Sequence, residues 1–187
     1  MRVLIAEDET LIRLDLKGML EKAGLEVCAE ARDGVEAVEL AGSESPDLAV
    51  LDVKMPRVDG IEAARRILDA RPIPIVIVSA FTERSLVRRA ADAGVYGYLA
   101  KPFREEDLLP AIATARARFA QLSAVREQAD SLAEALAARK AIERAKGLLM
   151  ENQRLSEQDA FVRLRRASQT SGRPMRVIAE AIIETLS

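Results

Sequence analysis

The chain has 187 residues, 49% of them hydrophobic, a net charge of −2, one cysteine and no histidine. That length and apolar fraction supply a core for one large or two small domains and argue against disorder along the whole chain. The lack of histidine excludes Ser-His-Asp and Cys-His hydrolase chemistry and any His-to-Asp relay within one chain, while the lone Cys28 excludes an internal disulfide and reads as a small core side chain. Apolar stretches are short and broken by charge, and no basic segment leads into an apolar one after Met1, so we expect a cytoplasmic protein with no membrane contact. Charge is uneven along the chain. Residues 139–187 hold 10 Lys/Arg and 6 Asp/Glu, which leaves 18 and 24 for residues 1–138. A basic end on an acidic body is the weak footprint of a nucleic-acid contact.

In chain order, Val3-Leu4-Ile5-Ala6 reads as a short buried strand, and an amphipathic pattern from Leu11 to Lys22 reads as a helix that Gly24 closes. Leu48-Ala49-Val50-Leu51 and Ile75-Val76-Ile77-Val78 are continuous aliphatic runs, as carried by strands buried on both faces. Weaker strands fit Val27 to Glu30 and Tyr96 to Leu99. Five strands alternating with helices predict an α/β unit whose parallel sheet is covered on both sides.

From about Glu105 to Glu151 the only proline is Pro110 and no glycine interrupts before Gly147, which predicts one long helix. Leu122, Ala129 and Leu136 lie seven apart, as do Val125 and Leu132. This 3,4 spacing suits a seam with a second copy, although a helix packing its stripe on its own domain would show the same pattern. Ser156-Glu157-Gln158-Asp159 resembles a capping box with Asp in the last place, opening a helix that Gly172 ends. Pro174 then suits the start of a last helix with Val177, Ile178, Ala181 and Ile182 turned inward. We therefore expect an α/β domain over 1–120, a helical coiled-coil linker over 121–138 and an all-α three-helix domain over 139–187.

In an open parallel sheet, ligands collect beyond the carboxyl ends of the strands where strand order reverses. Glu7 and Asp8 end the first strand and Asp52 ends the third. Three carboxylates converging there repel one another unless a hard divalent cation sits between them, and oxygen ligands suit Mg2+. A carboxylate attacking a phosphoryl group needs such a cation, together with a fixed ammonium and hydroxyl. Lys101 and Ser79, ending the fifth and fourth strands, supply those groups.

With Glu7-Asp8, Asp52-Val53-Lys54-Met55-Pro56, Asp59-Gly60, Ser79-Ala80 and Lys101-Pro102-Phe103, residues 2–120 resemble the receiver domain of two-component response regulators. The resemblance implies a flavodoxin-like sheet of order 2-1-3-4-5 and no enzyme activity beyond phosphoryl acceptance and autodephosphorylation. It implies Asp52 as phosphoacceptor and Mg2+ held by Glu7, Asp8, Asp52 and the backbone carbonyl of Lys54. Ser79 and Lys101 contact the phosphoryl group, Tyr98 is the aromatic switch, and the Lys101–Pro102 peptide is cis. Glu7 and Ser79 stand where many receivers have Asp and Thr, which points to altered dephosphorylation. A phosphohistidine must come from another protein, so a sensor histidine kinase is the implied partner.

In the basic end, Arg139, Lys140, Arg144 and Lys146 fall within about two helical turns beside the small residues Ala145 and Gly147. A glycine inside a helix costs about 1 kcal/mol relative to Ala, which hints at a purpose other than stability. With Phe161 the only aromatic residue after position 138, stacking platforms of the RRM or OB kind are not expected. Ala145-Lys146-Gly147, Leu149-Met150, Ala160-Phe161, Leu164-Arg165, Ala167, Val177 and Ala179 make residues 127–187 similar to the ANTAR domain of transcription antitermination regulators. Joined to a receiver, this resembles an actinobacterial class of such regulators. The resemblance implies contact of Arg139, Lys140, Arg144, Lys146, Gly147 and Arg165 with RNA stem-loops, and the seam of the long helix leads us to expect a homodimer on phosphorylation. Ala160, Phe161 and Ala167 read as bundle core, and Ser168-Gln169 departs from the family's more apolar pair. The competing readings are a DNA-binding transcription factor, which would need a recognition helix not evident here, and a phosphorylation-dependent protein-interaction adaptor.

Overall fold

The computed structural model describes residues 1–80 and 84–186. It divides into two compact units, Met1–Ser123 and Ala124–Ser187. The first contains β1 (Arg2–Ala6), α1 (Thr10–Lys22), β2 (Glu26–Ala31), α2 (Gly34–Glu44), β3 (Leu48–Asp52), α3 (Gly60–Ala70), β4 (Ile75–Ser79), α4 (Arg84–Asp92) and β5 (Gly97–Ala100). Then come α5 (Glu105–Gln153), α6 (Glu157–Ser171) and α7 (Met175–Leu186). The five strands form one parallel sheet of order β2-β1-β3-β4-β5, as the resemblance implies.

All five residues of β3 and of β4 are buried, because helices cover both faces. Strand alternation sends Leu4, Ala6, Leu51 and Ile77 to one side, where they meet Ala37 and Ala41 of α2, Ala63, Ala64 and Ile67 of α3, and Ala90 of α4. Val3, Ile5, Val50 and Val76 point to the other side, against Leu16 and Leu20 of α1 and Leu108, Ile112 and Ala115 of α5. Each fully buried Leu or Ile stabilises this core by roughly 2 kcal/mol of transfer free energy. Cys28 is half-buried against the first cluster, with its Sγ 3.4 Å from the carbonyl oxygen of Val3, and burial pushes its thiol pKa up.

In the second unit, Ala145 and Leu149 of α5, Ala160 and Leu164 of α6 and Ala179 of α7 form the core. Three alanines at its centre let the helices approach closely. Ser156 caps α6 by accepting from the amide of Asp159 at 3.1 Å, while its hydroxyl donates to Asp159 Oδ2 at 2.6 Å. The expected capping box is thus closed through the serine hydroxyl. Gly172, at φ 67°, ends α6 in the left-handed conformation that favours glycine. One expectation is corrected: Val177 and Ala181 face outward, and α7 instead packs through Met175, Ile178, Ala179, Ile182, Ile183 and Leu186. Eight of the helix's twelve residues are apolar, so its sequence does not define a single stripe. Among the described residues, no helix is long and apolar enough to cross a membrane.

Candidate functional site

Strand order reverses at β1, which neighbours both β2 and β3, and the chain leaves the sheet there into an acidic cleft. Ala6 is in register with Leu51, Asp52 with Val78, and Ser79 with Ala100, so Glu7, Asp52, Ser79 and Lys101 emerge side by side. A cleft of about 850 Å3 is lined by these four together with Asp8 and Lys54. One carboxylate oxygen from each of Glu7, Asp8 and Asp52 lies within 4.8 Å of the others. Glu7 is 1% and Asp52 5% exposed, whereas Asp8 is open to solvent.

Lys101 Nζ lies 2.6 Å from Glu7 Oε2 and 2.7 Å from Asp52 Oδ1, so one ammonium bridges two buried carboxylates. Burial pushes the Glu7 carboxyl pKa up and Asp52 adds to this, with Lys101 opposing. Burial also disfavours the charged Lys101, but its bonds to Asp52 and Glu7 outweigh that and raise its pKa. The backbone behind the site is fixed from two directions. Arg13 donates to the carbonyl of Glu7 at 2.7 Å, and the amide of Lys101 donates to the carbonyl of Ser79 at 2.8 Å. The Lys101–Pro102 peptide is cis.

Asp52 owes its position to Gly60. A Cβ there would sit 1.8 Å from the carbonyl oxygen of Asp52, so only glycine lets the start of α3 close against the end of β3. The amide of Gly60 donates to the carbonyl of Val53 at 2.9 Å, and Asp59 caps α3 by accepting from the amide of Glu62 at 2.8 Å. The connecting loop passes through Arg57, at φ 66°, whose guanidinium pairs with Asp33, the cap of α2. Ser79 is buried at the end of β4. Tyr98 is half-buried against the α2–α3–α4 side of the sheet and borders a groove of about 440 Å3 between α4, β5 and the start of α5.

The basic residues of the second unit divide in a way the sequence does not reveal. Arg139, Lys140, Arg144 and Arg165 are exposed and have no ion-pair partner among the described residues. Lys140, Arg144 and Gly147 follow one another at four and three residues and share a helical face. Lys146 lies off that face, 8% exposed, with Nζ 2.7 Å from Glu157 Oε1 and 3.0 Å from Glu143 Oε2. The bonds to Glu157 and Glu143 raise its pKa, and Lys146 in turn lowers that of Glu157. Ala145 belongs to the core, but a Cβ at Gly147 would meet nothing within 4 Å, so packing does not demand glycine there. Ser168 spends its hydroxyl on the carbonyl of Arg173 at 2.6 Å, so a polar residue fits the turn into α7. Ala160 is core as expected, whereas Phe161 is 41% exposed and contradicts the core reading.

The comparisons with known proteins agree with both halves. A response regulator receiver domain model matches residues 3–113, and an ANTAR domain model matches residues 130–183. The chain is 51% identical over 185 residues to the transcriptional regulatory protein PdtaR of Mycobacterium tuberculosis, covering 99% of this chain and 90% of that one. It is 41% identical over 113 residues to the chemotaxis protein CheY of Bacillus subtilis, covering 59% of this chain and 93% of that one. Among solved structures, it is similar to the signal receiver domain of a modulated diguanylate cyclase from Desulfovibrio desulfuricans, with TM-score 0.60, 31% identity and coverage of 64% and 96%. The response regulator domain of Thermotoga maritima CheB gives TM-score 0.58 and 30% identity, with coverage of 63% and 96%. Carrying a receiver with an acidic cleft at its strand ends and a helical unit in which Arg139, Lys140, Arg144 and Arg165 stand exposed and unpaired among the described residues, the chain belongs to the response regulators that join a receiver domain to an ANTAR domain.

Proposed function

We propose that this chain is a phosphorylation-controlled RNA-binding regulator, in which residues 1–120 receive the signal, 121–138 link and 139–187 bind stem-loop RNA. The observation that carries the receiver half is the convergence of Glu7, Asp8 and Asp52 around Lys101. Three hard oxygen donors within 4.8 Å, one of them solvent-accessible, fit Mg2+, and the backbone carbonyl of Lys54 at the cleft wall would complete the set. When bound, the ion supplies charge neutralisation for the phosphoryl oxygens.

Lys101 occupies Asp52 Oδ1, which leaves the other carboxylate oxygen as nucleophile. That oxygen attacks the phosphorus of a phosphohistidine on a sensor kinase; the P–O bond forms as the P–N bond breaks, and the imidazole leaves with the electron pair. Lys101 and the hydroxyl of Ser79 hold the transferred oxygens. Ser79 is drawn towards them, the space it leaves admits Tyr98, and the surface of α4, β5 and α5 changes. The same site later releases phosphate to water, with Glu7 and Ser79 setting that rate.

For the output half, the supporting observation is the set of unpaired cations. Arg139, Lys140, Arg144 and Arg165 are available to phosphates, Gly147 allows close backbone approach, and Lys146 braces α5 against α6 through Glu143 and Glu157. Leu122, Val125, Leu132 and Leu136 are all exposed in the single chain, which suits a seam closed by a second copy on phosphorylation. The test is binding of a tandem stem-loop RNA with and without a phosphoryl donor and Mg2+. Phosphorylation should tighten binding, Asp52→Asn should lose the response, and Lys140→Ala/Arg144→Ala should lower the salt dependence by about one unit per phosphate contact removed. RNA binding absent in every state would move the output to DNA or a protein partner.

A further inference from the structure

Phe161 is the only aromatic residue after Phe119, yet it is 41% exposed on a helix whose inward face is already filled by Ala160 and Leu164. The bundle core closes through Ala145, Leu149, Ala160, Leu164 and Ala179 without it. Arg165, one turn further along α6, is exposed and has no ion-pair partner among the described residues, so a cation stands beside the ring on the same helical face.

An exposed ring beside a free guanidinium presents a π face and a positive charge together. An apolar protein surface would match only the ring, whereas an unpaired nucleobase with its phosphate matches both. The charge excess of residues 139–187, 10 Lys/Arg against 6 Asp/Glu, favours the polyanion. Resting on the RNA reading above, we infer that Phe161 stacks on a base turned out of the stem-loop while Arg165 holds an adjoining phosphate. This makes Phe161 the residue that distinguishes a looped hairpin from plain duplex, a task the lysines and arginines of α5 cannot perform through phosphate contacts.

The experiment titrates the full, phosphorylated chain with one hairpin and with the same stem carrying abasic sites throughout its loop. Phe161→Ala and Phe161→Leu should weaken binding to the intact hairpin about 5- to 150-fold, and Phe161→Tyr should restore it. None of the three should alter binding to the abasic hairpin or the slope of affinity against salt. Leucine keeps an apolar side chain of similar bulk, so a wild-type response from Phe161→Leu would assign the ring to packing and overturn the stacking role. Equal losses on both hairpins, or a change of oligomeric state in sedimentation, would overturn it as well. Wild-type protein that ignores both hairpins would overturn the RNA reading and the stacking with it, whereas wild-type binding that survives Phe161→Ala overturns the stacking alone.

Discussion

Replacing Lys101 with methionine isolates the electrostatics of the acidic cleft. Lys101 bridges Glu7 and Asp52 at 2.6 and 2.7 Å, with side-chain exposures of 15% for the lysine and 1% and 7% for the carboxylates. Removing one partner of a buried pair costs about 3 to 5 kcal/mol, because the remaining charge is left without compensation. The site opens into a cleft, and Glu7 can take up a proton, so the lower figure of about 3 kcal/mol applies. For a unit of this size that is roughly a 10 °C fall in melting temperature. Both tyrosines lie in the first unit, so near-ultraviolet circular dichroism follows its unfolding separately from the helical unit. In chelator, Lys101→Met should melt well below wild type. Mg2+ at 100 times its wild-type dissociation constant adds about 2.7 kcal/mol to wild type, and the same concentration should stabilise the variant by more, because Lys101 no longer neutralises the two carboxylates there. Equal increments in both proteins, or no deficit in chelator, would refute the assignment of one cation site shared with Lys101.

Three further outcomes are expected. Gly60→Ala should destabilise the receiver by about 3 kcal/mol or more in urea melts, since its Cβ would lie 1.8 Å from a backbone oxygen, and an unchanged midpoint would contradict the packing described. Gly147→Ala should instead stabilise its helix by about 1 kcal/mol while weakening RNA binding, because the new methyl enters open space; stability and affinity rising together would remove Gly147 from the interface. The Lys146–Glu157 pair sets a pH dependence for the helical unit. Glu157 is lowered from 4.5, so its contribution is complete above that value and disappears as pH falls through the lower folded value. Lys146 is raised from 10.5, so its contribution holds below that value and is lost as pH climbs through the higher one. Helical circular dichroism of Glu157→Gln should show less of this acid dependence than wild type, and an unchanged acid limb would place it elsewhere.

What could be read from the sequence follows from how local each cause is. The strands β3 and β4 are legible because burial on both faces makes every position apolar up to the functional residue at the end, Asp52 or Ser79. The acidic cleft is legible because a parallel sheet delivers its strand ends to one edge. The bridging of two carboxylates by Lys101 is not, since it depends on the distance across three strands. Gly60 is a motif residue in the sequence, but only the backbone oxygen of Asp52 explains its necessity. In the helical unit the errors share one origin: α7 offers more apolar residues than one face holds, and α6 places Phe161 beside a true core alanine. Composition does not decide which of two adjacent apolar residues turns inward. It likewise treats Lys140, Arg144 and Lys146 as one cluster, although helix rotation leaves two free and turns the third into acidic partners.

That separation bears on how the chain divides its labour. In the first unit many cations are held by carboxylates, as with Arg2 and Glu44, Lys17 and Glu30, Arg57 and Asp33, Arg65 and Glu62, and Arg89 and Asp59, while Arg84, Arg88, Arg116 and Arg118 have no ion-pair partner among the described residues. The paired charges are neutralised locally, and with 18 Lys/Arg against 24 Asp/Glu over residues 1–138 the net charge gives a distant polyanion no attraction. The helical unit commits Lys146 and Arg176 to carboxylates but leaves Arg139, Lys140, Arg144 and Arg165 uncommitted. Exposed ion pairs are worth little to stability, so leaving those four unpaired costs the fold little, while each remains able to release a counterion on meeting a phosphate. On the function proposed above, affinity for RNA would be concentrated in the second unit and phosphoryl chemistry in the first. On that function, control of one by the other would act through the state of the helical unit, its pairing with a second copy above all, because residues 1–138 carry 18 Lys/Arg against 24 Asp/Glu and offer RNA no net attraction.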